Sequence, residues 1–338
     1  MTEMVETTAL EDIQVRQAQH VRDATQPGGL VVSRAVIYEK FGGPEVLELR
    51  AVPEPHAGPG EIRIRVAAVG LNAMDPAFAA MPELAARFNI TLPSGFGYDF
   101  AGRVDEVGDG ANGYKVGDRV YGGVMERAAA DFVVIEPATS NRIFHTPEGL
   151  SDEVASTLPV AAATAAAALA ALNLSPADTV LVGGAAGGVG VFVVQLARLA
   201  GAAVIGTGSE GTFAFLGDLG AQPVAYGPGL EDRVRACAPG GITAAIDLFG
   251  IETIETALSL GVAPDRIVAI AAGPNPPGGA RAVNGSDAQP DAIPQAAAAI
   301  VAKQMTVPIA ARFPIEQISE AAALQADRHV HGKIVVTL

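Results

Sequence analysis

The chain of 338 residues has a single cysteine, Cys237, no tryptophan and only four lysines. One cysteine excludes an internal disulfide framework and any cysteine-built zinc site. Basic residues are scarce. Lys+Arg is 22 against 37 Asp+Glu, a net charge of -15. Nucleic acid and anionic membrane surfaces select basic patches, so neither is expected as a partner. Long uninterrupted apolar runs are also missing. The tract 158–172 is mostly alanine and too short to span a bilayer, and 179–203 is broken by glycines, Gln195 and Arg198. The first residues carry Glu3, Glu6, Glu11 and Asp12, without the basic start and apolar stretch of a secretory leader. A soluble, cytoplasmic protein is expected.

What is present suffices to fold. Apolar residues make up 49% of the chain and charged residues 17%, which excludes a disordered chain. At roughly 150 residues per domain, the length predicts two domains. Of the five histidines, only His329 and His331 are close in sequence. Their spacing, just before a terminal strand, reads as solvated or capping side chains, and no metal site is expected.

Residues 1–32 read as an N-terminal extension closed by Gln26-Pro-Gly-Gly29, with at most a weak helix over 5–24. From Ser33 to about Glu136 the texture is β. Residues 61–66 alternate with period two, predicting a half-buried strand that faces water through Arg63 and Arg65. Residues 103–107, 118–121 and 132–135 are further short strands between Gly- and Asp-rich turns, as in a barrel-like unit. Beyond Pro147 the pattern changes. A helix at 161–172 is followed by strands at 179–182, 203–207, 244–248 and 266–271. Helices at 189–199, 212–219 and 252–260 alternate with them. Apolar strands alternating with helices predict a parallel sheet covered on both faces. A helix at 295–303 ends this block, and 307–338 holds one more helix and a final strand, 333–337.

Val180-Leu-Val-Gly-Gly-Ala-Ala-Gly-Gly-Val-Gly190 leaves a strand and enters a helix. Within it, Ala185-x-Gly187-x-x-Gly190 is the dinucleotide-binding fingerprint with alanine first. Gly187 lets the backbone approach a pyrophosphate, Gly190 lets the helix pack on its strand, and free N–H groups face the anion. A second strand follows in order, which makes the pattern specific. That strand ends in Thr207-Gly208-Ser209. An NAD site places a carboxylate there for the ribose 2'-hydroxyl. Its absence, with Ser209 able to donate to a 2'-phosphate, favours NADP. Glu210 opposes this, and a cation must come from elsewhere in the fold.

The chain resembles the zinc-independent quinone oxidoreductases, the ζ-crystallin-like branch of the medium-chain dehydrogenase/reductases. The resemblance runs from about Ser33 to Leu338. It rests on the glycine turn, Gly70-Leu-Asn-Ala-Met-Asp75, Gly97-Tyr-Asp-Phe-Ala-Gly102, Val116-Gly-Asp-Arg-Val120, Asp247-Leu-Phe-Gly250 and Gly332-Lys-Ile-Val-Val336. It implies an α/β protein with two parts. A GroES-like β-barrel-type substrate domain is expected over 33–155 and 306–338, around a Rossmann doubly wound parallel-sheet domain over 156–305. A homodimer is expected.

Zinc-dependent relatives carry a Cys and a His where this chain has Asn72 and Tyr98. An amide and a phenol are poor zinc ligands, so the resemblance implies no catalytic metal. It places Asn72 and Thr164 beside the nicotinamide and its ribose, and Ala186, Gly187, Gly188, Val189 and Gly190 at the pyrophosphate. Ser209 and Tyr226 fall around a 2'-phosphate, with Arg328 as the cation from the C-terminal segment. Phe249, Gly250 and Ala271 line the nicotinamide side. Many relatives place a tyrosine where this chain has Ala77. Tyr98 is the one tyrosine left in a matched segment, either a proton donor or a core residue, with Asn72 beside it in the catalytic pair. Asp99 reads as a brace. Phe78, Met81 and Phe88 are either pocket wall or core.

The expected function is NADPH-dependent hydride transfer to a quinone or an electron-poor, conjugated C=C acceptor. An enoyl-thioester reductase of a biosynthetic pathway is the nearest alternative, although four lysines offer no basic entry for a carrier phosphate. A non-catalytic NADPH-binding protein is the second alternative.

Overall fold

A computed structural model describes residues 32–140 and 142–338. The expected extension and its weak helix lie outside the described residues, except that Val32 already belongs to the first strand. That strand, β1 (Val32–Ile37), pairs antiparallel with β2 (Glu48–Pro53). The long strand β3 (Ile62–Leu71) is next, then β4 (Asp99–Val107), β5 (Arg119–Gly123), β6 (Phe132–Ile135) and β7 (Ile143–His145). Ile62, Ile64 and Val66 alternate inward from β3 onto Phe100, Val104 and Val120, the apolar centre of this unit.

Arg63 departs from expectation. It does not face water but is 8% exposed, because Asp105 and Glu54 bond its guanidinium at 2.9 and 2.8 Å. The guanidinium also lies 4.5 Å from the centre of the Phe132 ring, where cation–π attraction adds to the ion pairs. Arg65 is exposed as expected.

Two short helices, α1 (Met74–Ala80) and α2 (Pro82–Arg87), follow β3. After β7 come α3 (Asp152–Ala155) and α4 (Leu158–Leu172). Alanine keeps α4 thin enough to be buried against both halves of the molecule, with Ala161, Ala162, Ala163 and Ala165 fully enclosed. Asn173, in the left-handed conformation, ends it by returning its N–H to Leu169 O.

The second sheet contains β8 (Thr179–Gly183), β9 (Ala203–Gly208), β10 (Gln222–Ala225), β11 (Ala244–Asp247), β12 (Ile267–Ala269) and β13 (Arg281–Ala282). Its order is β10-β9-β8-β11-β12-β13, and every pair is parallel. Helices α5 (Gly190–Leu199), α6 (Phe213–Leu219), α7 (Leu230–Cys237), α8 (Glu252–Ser259) and α9 (Ala292–Val301) belong to this part of the chain. β10, α7 and β13 add to the expected elements.

The chain then returns to the first sheet through β14 (Ile309–Pro314), α10 (Ile318–Ala326) and β15 (Lys333–Thr337). β15 inserts between β14 and β3. The direction of winding reverses at β8, whose neighbours are β9 and β11. In open parallel sheets, ligands bind at the carboxyl ends of the strands beside such a reversal. Among the described residues, no helix is long and apolar enough to cross a membrane.

Candidate active site

The turn after β8 stands at that reversal. A Cβ on Gly190 would lie 2.4 Å from Gly184 O and 2.5 Å from Ala185 O, so only glycine lets α5 start there. Gly184 has φ +70°, a conformation costly for other residues. Thr207 of β9 takes the Gly184 N–H on its hydroxyl at 3.1 Å. Gly187 returns its own N–H to Gly184 O, while those of Gly188, Val189 and Gly190 find no backbone partner among the described residues. Three unpaired amides at a helix start, on a glycine surface, fit an anion of pyrophosphate type. Gly332 donates to Ala186 O at 2.9 Å, which ties the entry of β15 to this turn.

At the end of β9, Gly208 has no room for a side chain, since a Cβ would meet Thr212 Oγ1 at 2.3 Å. Ser209 and Tyr226 are exposed beyond β9 and β10. Arg233 comes to this end from α7 but donates to the carbonyls of Ala225, Tyr226, Gly227 and Pro228. Arg328 does not join Ser209 and Tyr226 here. Its guanidinium lies 4.4 Å from the centre of the Phe249 ring and donates to Phe249 O at 3.3 Å, on the β11 side of β8. The exposed Phe249 ring offers it a cation–π partner.

Phe249 and Gly250 are held by Asp247, which sequence reasoning passed over except as part of a motif. Asp247 Oδ1 accepts from both N–H groups at 2.9 and 2.6 Å, and Oδ2 accepts from Ala272 at 3.1 Å. Burial pushes this carboxyl up, and the backbone donors oppose the shift. One carboxyl therefore shapes the loops after β11 and β12, and Ala271 lies in the second of them.

Across the cleft, a buried polar cluster joins both parts of the chain. Asn72 Nδ2 donates to Asp99 at 2.9 Å, and Asn72 Oδ1 accepts from Lys333 Nζ at 2.6 Å. Lys333 also donates to Leu71 O at 2.8 Å, and Asp99 accepts the Val160 N–H at 3.1 Å. Asp75 accepts the Asn72 N–H at 2.7 Å. Lys333 is 1% exposed, and its stem packs on the pyrophosphate turn, 3.2 Å from where a Gly188 Cβ would be. Burial drives Asp75 and Asp99 up, while burial drives Lys333 down. The two carboxyls act against the lysine's shift, as opposite charges should. Asn72 thus lies at the cleft wall with both ends of its amide already engaged. Asp99 is the brace expected of it. Lys333 was legible only as part of a terminal motif.

Behind this cluster, Tyr38 donates to Glu126 Oε2 at 2.8 Å. Glu126 Oε1 and Asp75 Oδ1 are buried without a partner among the described residues. Burial pushes Glu126 up to about 8, and the nearby Asp75 charge adds to the shift.

Tyr98 is half-buried. Its ring covers Gly123, where a Cβ would come within 2.0 Å of Cε1. Among the described residues its hydroxyl has no hydrogen-bond partner, and it is not sealed in the core. Burial raises the phenol, Arg142 lowers it and Asp99 raises it. Thr164 lines the same region and donates to Val160 O at 2.8 Å. Phe78 is core, packed 4.9 Å from Phe88, whereas Met81 and Phe88 are half exposed. A separate hollow of about 340 Å³, lined by Ala177, Cys237 and Thr243, opens at the amino ends of the parallel strands. It lies at the opposite end from the turn and plays no part in this site.

Residues 58–141 match the alcohol dehydrogenase GroES-like domain. A quinone oxidoreductase from Pseudomonas aeruginosa is 34% identical over 180 residues, 53% of this chain and 54% of that protein. The solved quinone oxidoreductase from Coxiella burnetii superimposes with a TM-score of 0.79 and 28% identity, covering 91% of this chain and all of that one. In sequence and fold this chain is similar to the quinone oxidoreductase branch of the medium-chain dehydrogenase/reductases. A tomato 2-methylene-furan-3-one reductase is 33% identical over 204 residues, 56% of this chain and 50% of that enzyme. The match spans about half the length of these curated relatives.

Lys333 Nζ donates to the Asn72 oxygen, which holds that side chain within the buried cluster. Among the described residues, no group of three His, Cys, Asp or Glu side chains could hold a metal.

Proposed function

We propose that the protein is a cytoplasmic, NADPH-dependent reductase that passes hydride to a quinone or conjugated C=C acceptor without zinc. The observation that carries this reading is the bond from Lys333 Nζ to Asn72 Oδ1, which, with Asp99 on the amide nitrogen, engages both ends of the side chain that stands where zinc-using relatives carry a ligand. Without a metal to polarise an alcohol, the chemistry left to the site is reduction of an acceptor that is already electron-poor. The bound dinucleotide supplies the hydride. The amides of Gly188, Val189 and Gly190 bind its pyrophosphate, with Ala186 and Gly187 forming the turn. Asn72 and Thr164 border the nicotinamide and ribose, and Phe249, Gly250 and Ala271 line the opposite wall. Tyr98 or water returns the proton.

NADPH is favoured over NADH because Gly208 leaves no carboxylate to repel a 2'-phosphate. Ser209 and Tyr226 supply hydroxyls there, and Arg328 supplies the charge on leaving the Phe249 ring. A charge-assisted contact contributes roughly 1.5–3 kcal/mol. Arg328→Ala should therefore weaken NADPH at least about ten-fold in a fluorescence titration and leave NADH unchanged. Equal loss for both cofactors removes Arg328 from the phosphate site.

Oxidation of NADPH at 340 nm with quinones, conjugated enones and enoyl thioesters tests the reading. Turnover of quinones or enones that survives dialysis against a chelator is expected. Turnover restricted to thioesters makes the protein an enoyl-thioester reductase. Tight NADPH binding with no turnover of any acceptor makes it a binding protein. The same reading includes a homodimer, which sedimentation equilibrium checks.

A further inference from the structure

Arg142 immediately precedes β7, and its side chain leaves the first sheet for the parallel-sheet domain. Nη2 donates to Gly285 O at 2.9 Å, and Nη1 reaches Pro159 O at 3.5 Å. Gly285 follows β13 by three residues, so it lies at the carboxyl end of the parallel sheet, where a ligand is expected. It also packs on Thr164, with 3.0 Å between Thr164 Oγ1 and the place of a Gly285 Cβ. The backbone of Arg142 is fixed against the same glycine that carries the Tyr98 ring, since Gly123 N–H donates to Arg142 O at 2.9 Å. The phenol and the guanidinium therefore stem from the two sides of Gly123.

The bonding of Arg142 is unlike that of the arginines locked in ion pairs. Arg63 is tied to Asp105, Arg119 to Asp152 and Arg266 to Asp178. Among the described residues Arg142 has no carboxylate partner and meets two carbonyls. A guanidinium has five N–H donors, so more than half remain for something else. Its charge is felt by Tyr98 and by Asp99, the two neighbours that also define the cleft wall.

We propose that Arg142 is the cation that receives the negative charge formed on the carbonyl oxygen of the acceptor, beside Tyr98. This rests on the reductase reading and narrows it to acceptors activated by a carbonyl. Hydride, with its electron pair, bonds to the β-carbon, and the C=C pair moves to the carbonyl oxygen as an enolate. The enolate oxygen faces the free N–H groups of Arg142. The Tyr98 O–H bond breaks, its proton passes to the enolate, and the tyrosinate is held by Arg142 until water reprotonates it. Fixed donors aimed at developing charge are among the strongest contributions to catalysis. Arg142 and Asp99 are the charged groups that act on Tyr98, and they act in opposite directions.

The test uses the full chain with Arg142→Gln, Arg142→Lys and Tyr98→Phe. Tyr98 ionisation is read without cofactor, as the tyrosinate absorbance lost in Tyr98→Phe. Arg142→Gln should move that titration to higher pH, and Arg142→Lys should move it less. With an enone, Arg142→Gln should lower kcat by about 10²-fold. Arg142→Lys should restore much of it, with the NADPH dissociation constant and melting temperature unchanged. A Tyr98 titration that does not move overturns the pairing, whatever the activity. An Arg142→Gln protein that folds and keeps its kcat overturns the role on substrate. A titration that moves in a protein whose wild type reduces no carbonyl acceptor leaves the pairing standing and overturns the reductase reading. Should Arg142→Gln fail to fold, the lysine variant and Tyr98→Phe carry the same comparison.

Discussion

The two walls of the cleft are built by different means. The wall at the end of β8 is made of backbone: glycines at 184, 187, 188 and 190 and amides with no partner. The facing wall is made of side chains, with Asn72, Asp75, Asp99 and Lys333 buried against one another. A backbone wall tolerates no added atom but carries little charge. A side-chain wall tolerates shape changes but holds opposite charges in a medium that penalises any imbalance.

Removing a charge should therefore hurt the second wall most. Lys333→Met leaves two buried carboxyls without their cation and Asn72 Oδ1 without its donor. A loss of about 3 kcal/mol or more is expected at pH 8 in denaturant unfolding. The loss should shrink at pH 5, where the carboxyls take up protons. A loss equal at both values would mean that the lysine matters for packing alone.

Adding an atom should hurt the first wall most. Gly190→Ala forces a methyl against Gly184 O and Ala185 O, an overpacking cost of about 1–3 kcal/mol. The turn must shift to make room, so NADPH affinity should fall further than the stability loss alone explains. A variant that binds NADPH normally would show that the turn adapts, and the contrast between the walls would fade.

The smallest change sharpens the contrast from behind. Glu126 titrates near 8 in the folded chain because burial keeps it protonated, against about 4.5 in the unfolded chain. The folded state binds the extra proton between these values, so stability falls as pH rises through that window. Glu126→Gln cannot ionise, and its amide can offer Asp75 a donor. Its melting temperature should match the wild type at pH 5 and exceed it increasingly as the pH rises toward 8, because the wild type loses about 1.4 kcal/mol per pH unit within that window. A variant less stable at both values would show that the amide cannot replace the protonated carboxyl beside Tyr38, and that the pH window is not its main contribution.

The same division explains what could be read from the residues in order. The glycine turn and the strands at β8, β9 and β11 were legible, because their signals are local: a run of apolar residues, then glycines at fixed spacing. β6 and the last strand were legible for the same reason. Lys333 was not, because Leu71 and Asn72, which bury and bond it, lie more than 260 positions away. Arg63 was misread because its period-two position faces out, and only Glu54, Asp105 and Phe132 together turn it into a covered cation. Arg328 was expected beside Ser209, but the exposed Phe249 ring competes for it. Arg142 offered no signal at all, since neither of its two carbonyl partners belongs to a pattern.

The place of β15 in the first sheet bears on how the chain assembles. β3 holds β6 along its first half and β15 along its second, so residues 68–71 have no partner on that side until β15 has been made. The parallel sheet is contiguous in sequence and has all six strands before then. On the ribosome it can close early, while the older half waits with an open, apolar strand edge. Such an edge invites pairing with another chain. Synthesis that stalls between β13 and β15 thus leaves a finished nucleotide-binding half beside a sheet that still recruits strands.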